Sequence, residues 1–189
     1  DSLAQFGMLK GMAMPLLFFP SSFLTSLSTL LIPEISEANA LSQKKKVERT
    51  VNRTLHLTLT ASILISGIFT LFARKLGLII YGSEEVGFLL QVLAPLMPVM
   101  YLESVVDGIL KGLGQQVSSL KYSVADSIVR IVMIFVLVPL RGMESFLFVM
   151  VVSNLLTCFL NIHRLLSITG LKLKWGQWIL KPLLAMATA

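Results

Sequence analysis

Long apolar stretches separated by short polar segments constrain this chain more than any other feature. A helix needs about 20 mainly apolar residues to cross the hydrocarbon layer of a membrane, where its backbone hydrogen bonds must be satisfied internally. Five such stretches occur in the 189 residues, and a sixth begins near the end. The sequence therefore predicts an all-α, polytopic transmembrane helix bundle. The predicted spans cover residues 11–32, 55–72, 88–110, 122–138, 146–166 and, for the truncated sixth, 179–189.

The composition excludes most other classes of protein. Charged residues make up 14% of the chain, against about a quarter in soluble domains. The net charge of +6 does not indicate nucleic-acid binding, because the basic residues lie between apolar stretches and form no stripe with aromatic residues. The single cysteine, Cys158, and the isolated His56 and His163 predict neither disulfides nor a metal site, and we expect no cofactor.

The basic residues also predict the orientation of the bundle. Lys and Arg between the spans alternate, with eleven on one side of the membrane and three on the other. By the positive-inside rule, the first, third and fifth connections are cytoplasmic. The densest group precedes the second span and consists of Lys44, Lys45, Lys46, Arg49 and Arg53.

Several features predict how the chain is bounded and anchored. It starts without Met and stops inside an apolar stretch, so we expect residues 1–189 to be the C-terminal lobe of a larger transmembrane protein whose N-terminal lobe is absent. Residues 76–80 are too short to span and predict a re-entrant or interfacial piece. Trp175 and Trp178, beside two lysines, are typical of a segment at the headgroup level.

A charged hairpin between residues 88 and 130 predicts the functional site. Ionisable residues within membrane spans are rare and mark substrate or ion pathways by default. At ~1.5 Å per helical residue, Glu103 lies ~12 Å from Lys111 at the cytoplasmic end, and Arg130 lies ~13.5 Å from Lys121. Asp107 and Asp126 lie at shallower depth. We therefore expect Glu103, Asp107, Asp126 and Arg130 to line a substrate or ion pathway.

A second interpretation of the hairpin stays open, in which Glu103 and Arg130 form a static ion pair that fixes helix register. If the pathway exists, Arg130 matches the geometry of phosphate oxygens. Glu103 and Asp107 then carry a coupling proton or sodium ion, with desolvation favouring protonation.

Smaller polar residues mark other helix faces. Ser104, Gly108 and Gly112 repeat every four residues and predict a close helix contact. In the fifth span, Asn154 and Asn161 share a face that should point into the bundle, towards either substrate or another helix. Hydroxyl residues of the first span predict either helix packing or the wall of a wet cavity; they are Ser22, Thr25, Ser26 and Thr29.

An ordered set of short motifs resembles the multidrug/oligosaccharidyl-lipid/polysaccharide (MOP) exporter superfamily. Within it, the chain is most similar to the polysaccharide biosynthesis branch that contains stage V sporulation protein B and lipid II flippases. The motifs extend over almost the whole chain. They are Met14-Pro15 with Pro20, Leu27-Ser28-Thr29-Leu30 before Pro33-Glu34-Ile35-Ser36, Tyr81-Gly82, Leu93-Ala94-Pro95, Asp107-Gly108-Ile109-Leu110-Lys111-Gly112-Leu113-Gly114-Gln115, Asp126-Ser127 with Arg130, and Pro139 with Gly142.

The resemblance implies two helical lobes around a central cavity that moves a lipid-linked sugar across a bacterial plasma membrane. The expected partners are a lipid-linked glycan bearing a pyrophosphate, membrane lipids and the N-terminal lobe, with roles in peptidoglycan, cell-wall or spore-cortex synthesis. The first span carries no arginine, so a cationic cavity depends on Arg130 or on the other lobe.

Three alternatives to a flippase remain open from the sequence. A cation-coupled multidrug exporter belongs to the same superfamily, and a non-transporting membrane scaffold is the second alternative. A membrane enzyme is the third, but the outer connections offer Glu84, Glu85 and Glu144 without a histidine partner, so we expect no catalytic residues.

Overall fold

Helices account for almost all of the described chain. The structure, a computed structural model, describes residues 2–171, of which 93% are helical, and no strand occurs within that range. The predicted sixth span and the two tryptophans lie outside the described residues. The helices are α1 (Ser2–Met8), a π-helical turn (Leu9–Ala13), α2 (Met14–Ala40), α3 (Lys44–Tyr81), α4 (Glu84–Leu93), a 3-10 turn (Ala94–Leu96), α5 (Met97–Gly112), α6 (Gln116–Arg141) and α7 (Met143–Thr169).

The predicted all-α transmembrane bundle is confirmed. Within residues 2–171, five helical segments are long and apolar enough to cross a membrane: Ala4–Ala40, Lys44–Tyr81, Glu84–Gly112, Gln116–Leu140 and Met143–Thr169. Each contains one of the five predicted spans. The helices extend beyond the predicted limits, because apolarity marks only the part of a helix that lies in hydrocarbon.

The helix α3 shows this difference at both ends. The cations from Lys44 to Arg53 form its first turns, although we expected them in the connection that precedes the second span. Residues 76–80 continue the same helix, so the prediction of a separate re-entrant piece was wrong. A helix of 38 residues is ~57 Å long, almost twice the ~30 Å of the hydrocarbon layer. It is therefore longer than the membrane core is thick, and its cationic first turns extend out of the hydrocarbon.

A two-residue turn at Gly82 and Ser83 reverses the chain between α3 and α4. Gly82 has a φ of 62°, a left-handed conformation that glycine adopts without steric cost. The Ser83 N–H donates to the Gly77 carbonyl over 3.2 Å, which pairs a carbonyl of the last helical turn that would otherwise lack a partner. The Ser83 hydroxyl then accepts from Val86 N–H at 3.3 Å and caps α4. The turn therefore closes one helix and begins the next.

Two prolines interrupt the third span, and a serine of α3 supports the break. Pro98 has no N–H to donate to the carbonyl of Ala94, four residues earlier. That carbonyl accepts instead from Met97 N–H and from the Ser66 hydroxyl, at 2.7 Å. Ser66 is buried, so this hydrogen bond ties α3 to the 3-10 turn.

We expect Ser66→Ala to lower the free energy of unfolding by about 0.5–1.5 kcal/mol, because a buried interhelical hydrogen bond is lost. Thermal unfolding of the intact membrane protein in detergent measures this change. Ser62→Ala is the matched control, since buried Ser62 donates only to Leu59 of its own helix. Equal destabilisation by both variants would contradict the role assigned to Ser66.

The helix α5 occupies the centre of the bundle and packs on α2, α3 and α7. The Tyr101 hydroxyl donates to the Leu17 carbonyl of α2, in a fully buried contact. An ideal Cβ on Gly112 would lie 3.0 Å from Ile32 Cγ2, and one on Gly108 would lie 3.3 Å from Ile32 Cδ1. The predicted close contact of this glycine face is therefore confirmed, and its partner is α2. In contrast, α6 packs mainly on α7.

The connections that we predicted to be cytoplasmic meet at one end of the bundle. Asn39, Lys44, Leu113 and Thr169 line a single cleft there. Arg164 also donates to Gln115 Oε1 at 2.8 Å, which joins the end of α7 to the turn between α5 and α6. Two of the basic residues counted for orientation, Lys44 and Arg164, thus lie at this end of the bundle.

Candidate functional site

Three side chains of α6 and α7 form a closed polar cluster. Asp126 and Arg130 lie one turn apart on α6, and Arg130 Nη2 is 2.6 Å from Asp126 Oδ2. Ser153 of α7 accepts from Arg130 Nε at 2.9 Å and donates to Asp126 Oδ1 at 2.5 Å. Ser153 therefore connects the carboxylate and the guanidinium across the helix interface.

The two charged side chains of this cluster differ in exposure. The Asp126 side chain is 5% exposed, whereas that of Arg130 is 48% exposed. A guanidinium near mid-membrane depth costs at least a few kcal/mol unless it meets water or protein. The open side of Arg130 therefore requires a hydrated or protein-lined neighbourhood rather than acyl chains.

A second polar group joins α5 to the start of α6. Lys111 Nζ lies 2.6 Å from Asp107 Oδ2, and the hydroxyl of Ser119 in α6 donates to Asp107 Oδ1. Both charged side chains are partly exposed. Because Lys111 lies in the last turn of α5, Asp107 lies near the end of the helix that we predict to be cytoplasmic.

Glu103 lies deeper on α5, one turn from Asp107. It is half-buried and interacts electrostatically with Asp107, Asp126 and Arg130. The structure therefore brings the four charged residues of the predicted hairpin into one electrostatic group. Three of them are carboxylates, so a mobile cation has an attractive position beside them.

The alternative Glu103–Arg130 ion pair was wrong. The carboxylate that binds Arg130 is that of Asp126. Two residues four apart on one helix already face the same side, so their pairing needs no close approach of α5 to α6. Because α6 packs mainly on α7, the Arg130 side chain contacts Ser153 of α7 rather than a partner on α5.

The polar face of α7 points into the bundle, as predicted. Thr157, Cys158 and Asn161 are buried, and Asn154 is half-buried with its amide donating to Met150 O at 2.7 Å. Asn161 is 2% exposed, and its Oδ1 has no hydrogen-bonding partner within residues 2–171. A buried acceptor left unpaired costs about 1–3 kcal/mol. Asn161 therefore offers an oxygen to water or a cation.

The hydroxyl residues of the first span face outward from the described helices. Ser26 donates to Ser22 O at 2.7 Å, and Thr29 donates to Thr25 O at 2.8 Å. Ser22, Ser26 and Thr29 are exposed, so the described helices do not cover them. Their hydrogen bonds are satisfied within α2, and their surface is available to another part of the protein or to water.

Sequence reasoning missed Ser119 and Ser153 as partners of the two aspartates. Ser153 precedes Thr157 and Asn161 at intervals of four, so its position on the polar face of α7 was visible in the spacing. Ser119 lies one turn into α6 and carried no comparable signal.

Comparisons with known proteins agree with this architecture. The model of the MatE family matches residues 4–136, which is more than half of the chain. Stage V sporulation protein B of Bacillus subtilis (strain 168) is 28% identical over 178 residues, which cover 93% of this chain and 34% of that protein. Sporulation protein YkvU of the same organism is 29% identical over 143 residues, covering 76% of this chain and 32% of that protein.

The chain spans about a third of the length of these two relatives. No solved structure shows a significant match. The family match confirms the resemblance to the MOP superfamily that the sequence motifs indicated, and it agrees with a multi-pass membrane protein. The chain therefore belongs to the MatE family.

Proposed function

We propose that the protein carrying this chain is a membrane transporter that flips a lipid-linked oligosaccharide or peptidoglycan precursor between the two faces of the membrane. This chain supplies one helical lobe, and a second lobe completes the cavity, since alternating access needs two bodies that move against each other. The two relatives are sporulation proteins by name, which supports a substrate used in spore-cortex or cell-wall synthesis.

The half-exposed guanidinium of Arg130 is the observation that carries this proposal. Asp126 and Ser153 hold the guanidinium through Nη2 and Nε, so its orientation is fixed while its other edge stays accessible. A planar guanidinium matches two phosphate oxygens at once. Arg130 therefore suits the pyrophosphate of a lipid-linked glycan, which stays charged at neutral pH.

The carboxylates of α5 supply the coupling step in this proposal. Glu103 and Asp107 bind a proton or sodium ion, and the bound cation offsets the charge of the substrate phosphates as both move. Asn161 and Asn154 extend the polar lining along α7. No covalent chemistry is required of any of these residues.

A cation-coupled multidrug exporter is the second candidate, and the charge of the group favours it. Glu103, Asp107 and Asp126 outnumber the two cations Lys111 and Arg130 in this region. A net negative group attracts a cationic drug as readily as a coupling ion. The two functions differ in the charge of the transported molecule.

The deciding experiment reconstitutes the intact protein in liposomes with a fluorescent diphosphate-linked lipid glycan. Flipping makes the outer-leaflet probe inaccessible to a membrane-impermeant quencher, and we expect this loss of quenching with the parent protein. An imposed proton or sodium gradient should accelerate flipping by the parent protein. In Glu103→Gln this acceleration should be at least about tenfold smaller, because the coupling carboxylate is removed. Glu85→Gln, an exposed carboxylate at the other end of the bundle, should leave it unchanged.

Two other outcomes would reject the flippase. Export of a cationic dye without movement of the lipid probe would establish the multidrug exporter. A protein that moves neither probe, while it still folds and inserts, would be a scaffold.

A further inference from the structure

A basic cleft opens between the end of α2 and the start of α3, at the end of the bundle that we predict to be cytoplasmic. The cleft has a volume of about 750 Å³. Among the described residues, its cationic lining consists of Lys44, Lys45, Lys46 and Arg49, and its single carboxylate is Glu34. Glu34 is itself held by the Thr50 hydroxyl at 3.3 Å. The cleft therefore carries an excess of positive charge.

The start of α3 adds to this positive field. Its N-cap residue, Gln43, makes no capping hydrogen bond through its side chain, and the first turn contains no acidic residue. Helix N-termini carry a partial positive charge, which favours anions and disfavours cations. Lysines in this turn are thus unfavourable for the isolated helix. The two ion pairs found within residues 2–171 lie on α5 and α6. Neither of them neutralises the positive charge at the start of α3.

One face of α3 continues from these cations into the membrane. Lys45, Arg49 and Arg53 are exposed and four residues apart, which spreads their charges over ~12 Å of helix. The same face continues with Leu57 and Leu64, which are also exposed. A headgroup beside the cations would therefore have its acyl chains along the leucines.

We propose that this cleft is a docking site for the phosphate of an anionic phospholipid in the cytoplasmic leaflet. Charge complementarity selects the phosphate, and the apolar continuation of the same helix face selects a lipid rather than a soluble anion. The inference goes beyond the proposed transport function and does not rest on it. The bound headgroup neutralises the lysines at the helix start and holds α2 and α3 together at this end.

Binding of dioleoyl phosphatidylglycerol to the intact protein in detergent tests this site. Native mass spectrometry gives the affinity, and dioleoyl phosphatidylcholine serves as the zwitterionic comparison. The triple variant Lys45→Gln/Lys46→Gln/Arg49→Gln should bind phosphatidylglycerol about 100-fold more weakly, given the contribution of each basic residue near an anionic lipid surface. The charge-preserving variant Lys45→Arg/Lys46→Arg should keep the parent affinity, which separates loss of charge from misfolding.

A matched control removes the same net charge elsewhere. Lys10, Lys75 and Lys121 are exposed and lie outside the cleft, so their triple replacement by glutamine should leave binding within about twofold of the parent value. Equal weakening by this control would overturn the site in favour of overall charge. Unchanged binding by the cleft variant would overturn it directly. Displacement of the lipid by millimolar inorganic phosphate alone would identify a soluble anion instead.

Discussion

Replacement of Arg130 by alanine should lower the rate of lipid-probe flipping by about 10- to 100-fold. The reason is the loss of charge-assisted hydrogen bonds to the phosphates, each worth about 1.5–3 kcal/mol. Arg130→Lys keeps the charge but loses the planar fork, so we expect an intermediate rate. The measurement is the liposome quenching assay, normalised to the amount of inserted protein.

A structural role of Arg130 can be separated from a substrate role by a double variant. Arg130→Ala alone leaves the buried carboxylate of Asp126 with Ser153 as its remaining partner in the cluster. We expect this to cost about 1–3 kcal/mol of stability, less than for a fully buried pair because the guanidinium is half exposed. Asp126→Asn with Arg130→Ala removes both charges and should recover most of the stability.

The flipping rate of the double variant decides between the two roles. It should stay as low as that of Arg130→Ala, because the phosphate ligand is still missing. Recovery of flipping together with stability would show that Arg130 only neutralises the charge of Asp126. That result would remove the main support for the flippase.

The spans were predictable because hydrocarbon penalises polar groups strongly enough for apolarity to mark each crossing. That penalty ends at the membrane surface, so sequence could not separate the helical start of α3 at Lys44 from a loop. In this segment helix propensity is a weaker signal than apolarity is inside the membrane. Lysine and arginine favour helices only slightly less than alanine, but propensity alone is a weak predictor of a helix boundary. For the same reason, the sequence did not predict that α3 continues without a break through residues 76–80.

The candidate site was predictable as a set of residues and not as a set of pairs. Because rise per residue is constant, depth along the helices placed Glu103, Asp107, Asp126 and Arg130 near one another, and Glu103 interacts electrostatically with the other three in the structure. Pairing depends on which helices touch, and the packing of α6 on α7 rather than closely on α5 is a property of the whole bundle. This packing brings Ser153 to the aspartate–arginine pair and leaves Glu103 free of that contact.

Substitution of Gly77 by alanine should cause a large loss of stability from a single methyl group. An ideal Cβ on Gly77 would lie 2.4 Å from Gly87 N and 2.5 Å from Gly87 Cα. Both are backbone atoms of α4, so no side-chain rotation relieves the overlap. Relief requires α4 to move away from α3. We expect the free energy of unfolding to fall by about 3 kcal/mol or more, at the upper end of overpacking effects.

Thermal or denaturant unfolding of the intact protein measures this effect, and Gly11→Ala is its control. A Cβ on Gly11 would meet nothing within 4 Å, so alanine there should be neutral or slightly stabilising through its helix propensity. Gly87→Ala should also destabilise, since its Cβ would lie 2.9 Å from the Cα of Arg74. This contact is looser than that of Gly77, so the loss should be smaller. Equal stability of Gly77→Ala and Gly11→Ala would mean that α3 and α4 cross at a greater distance, and the short turn at Gly82 would then no longer set their separation.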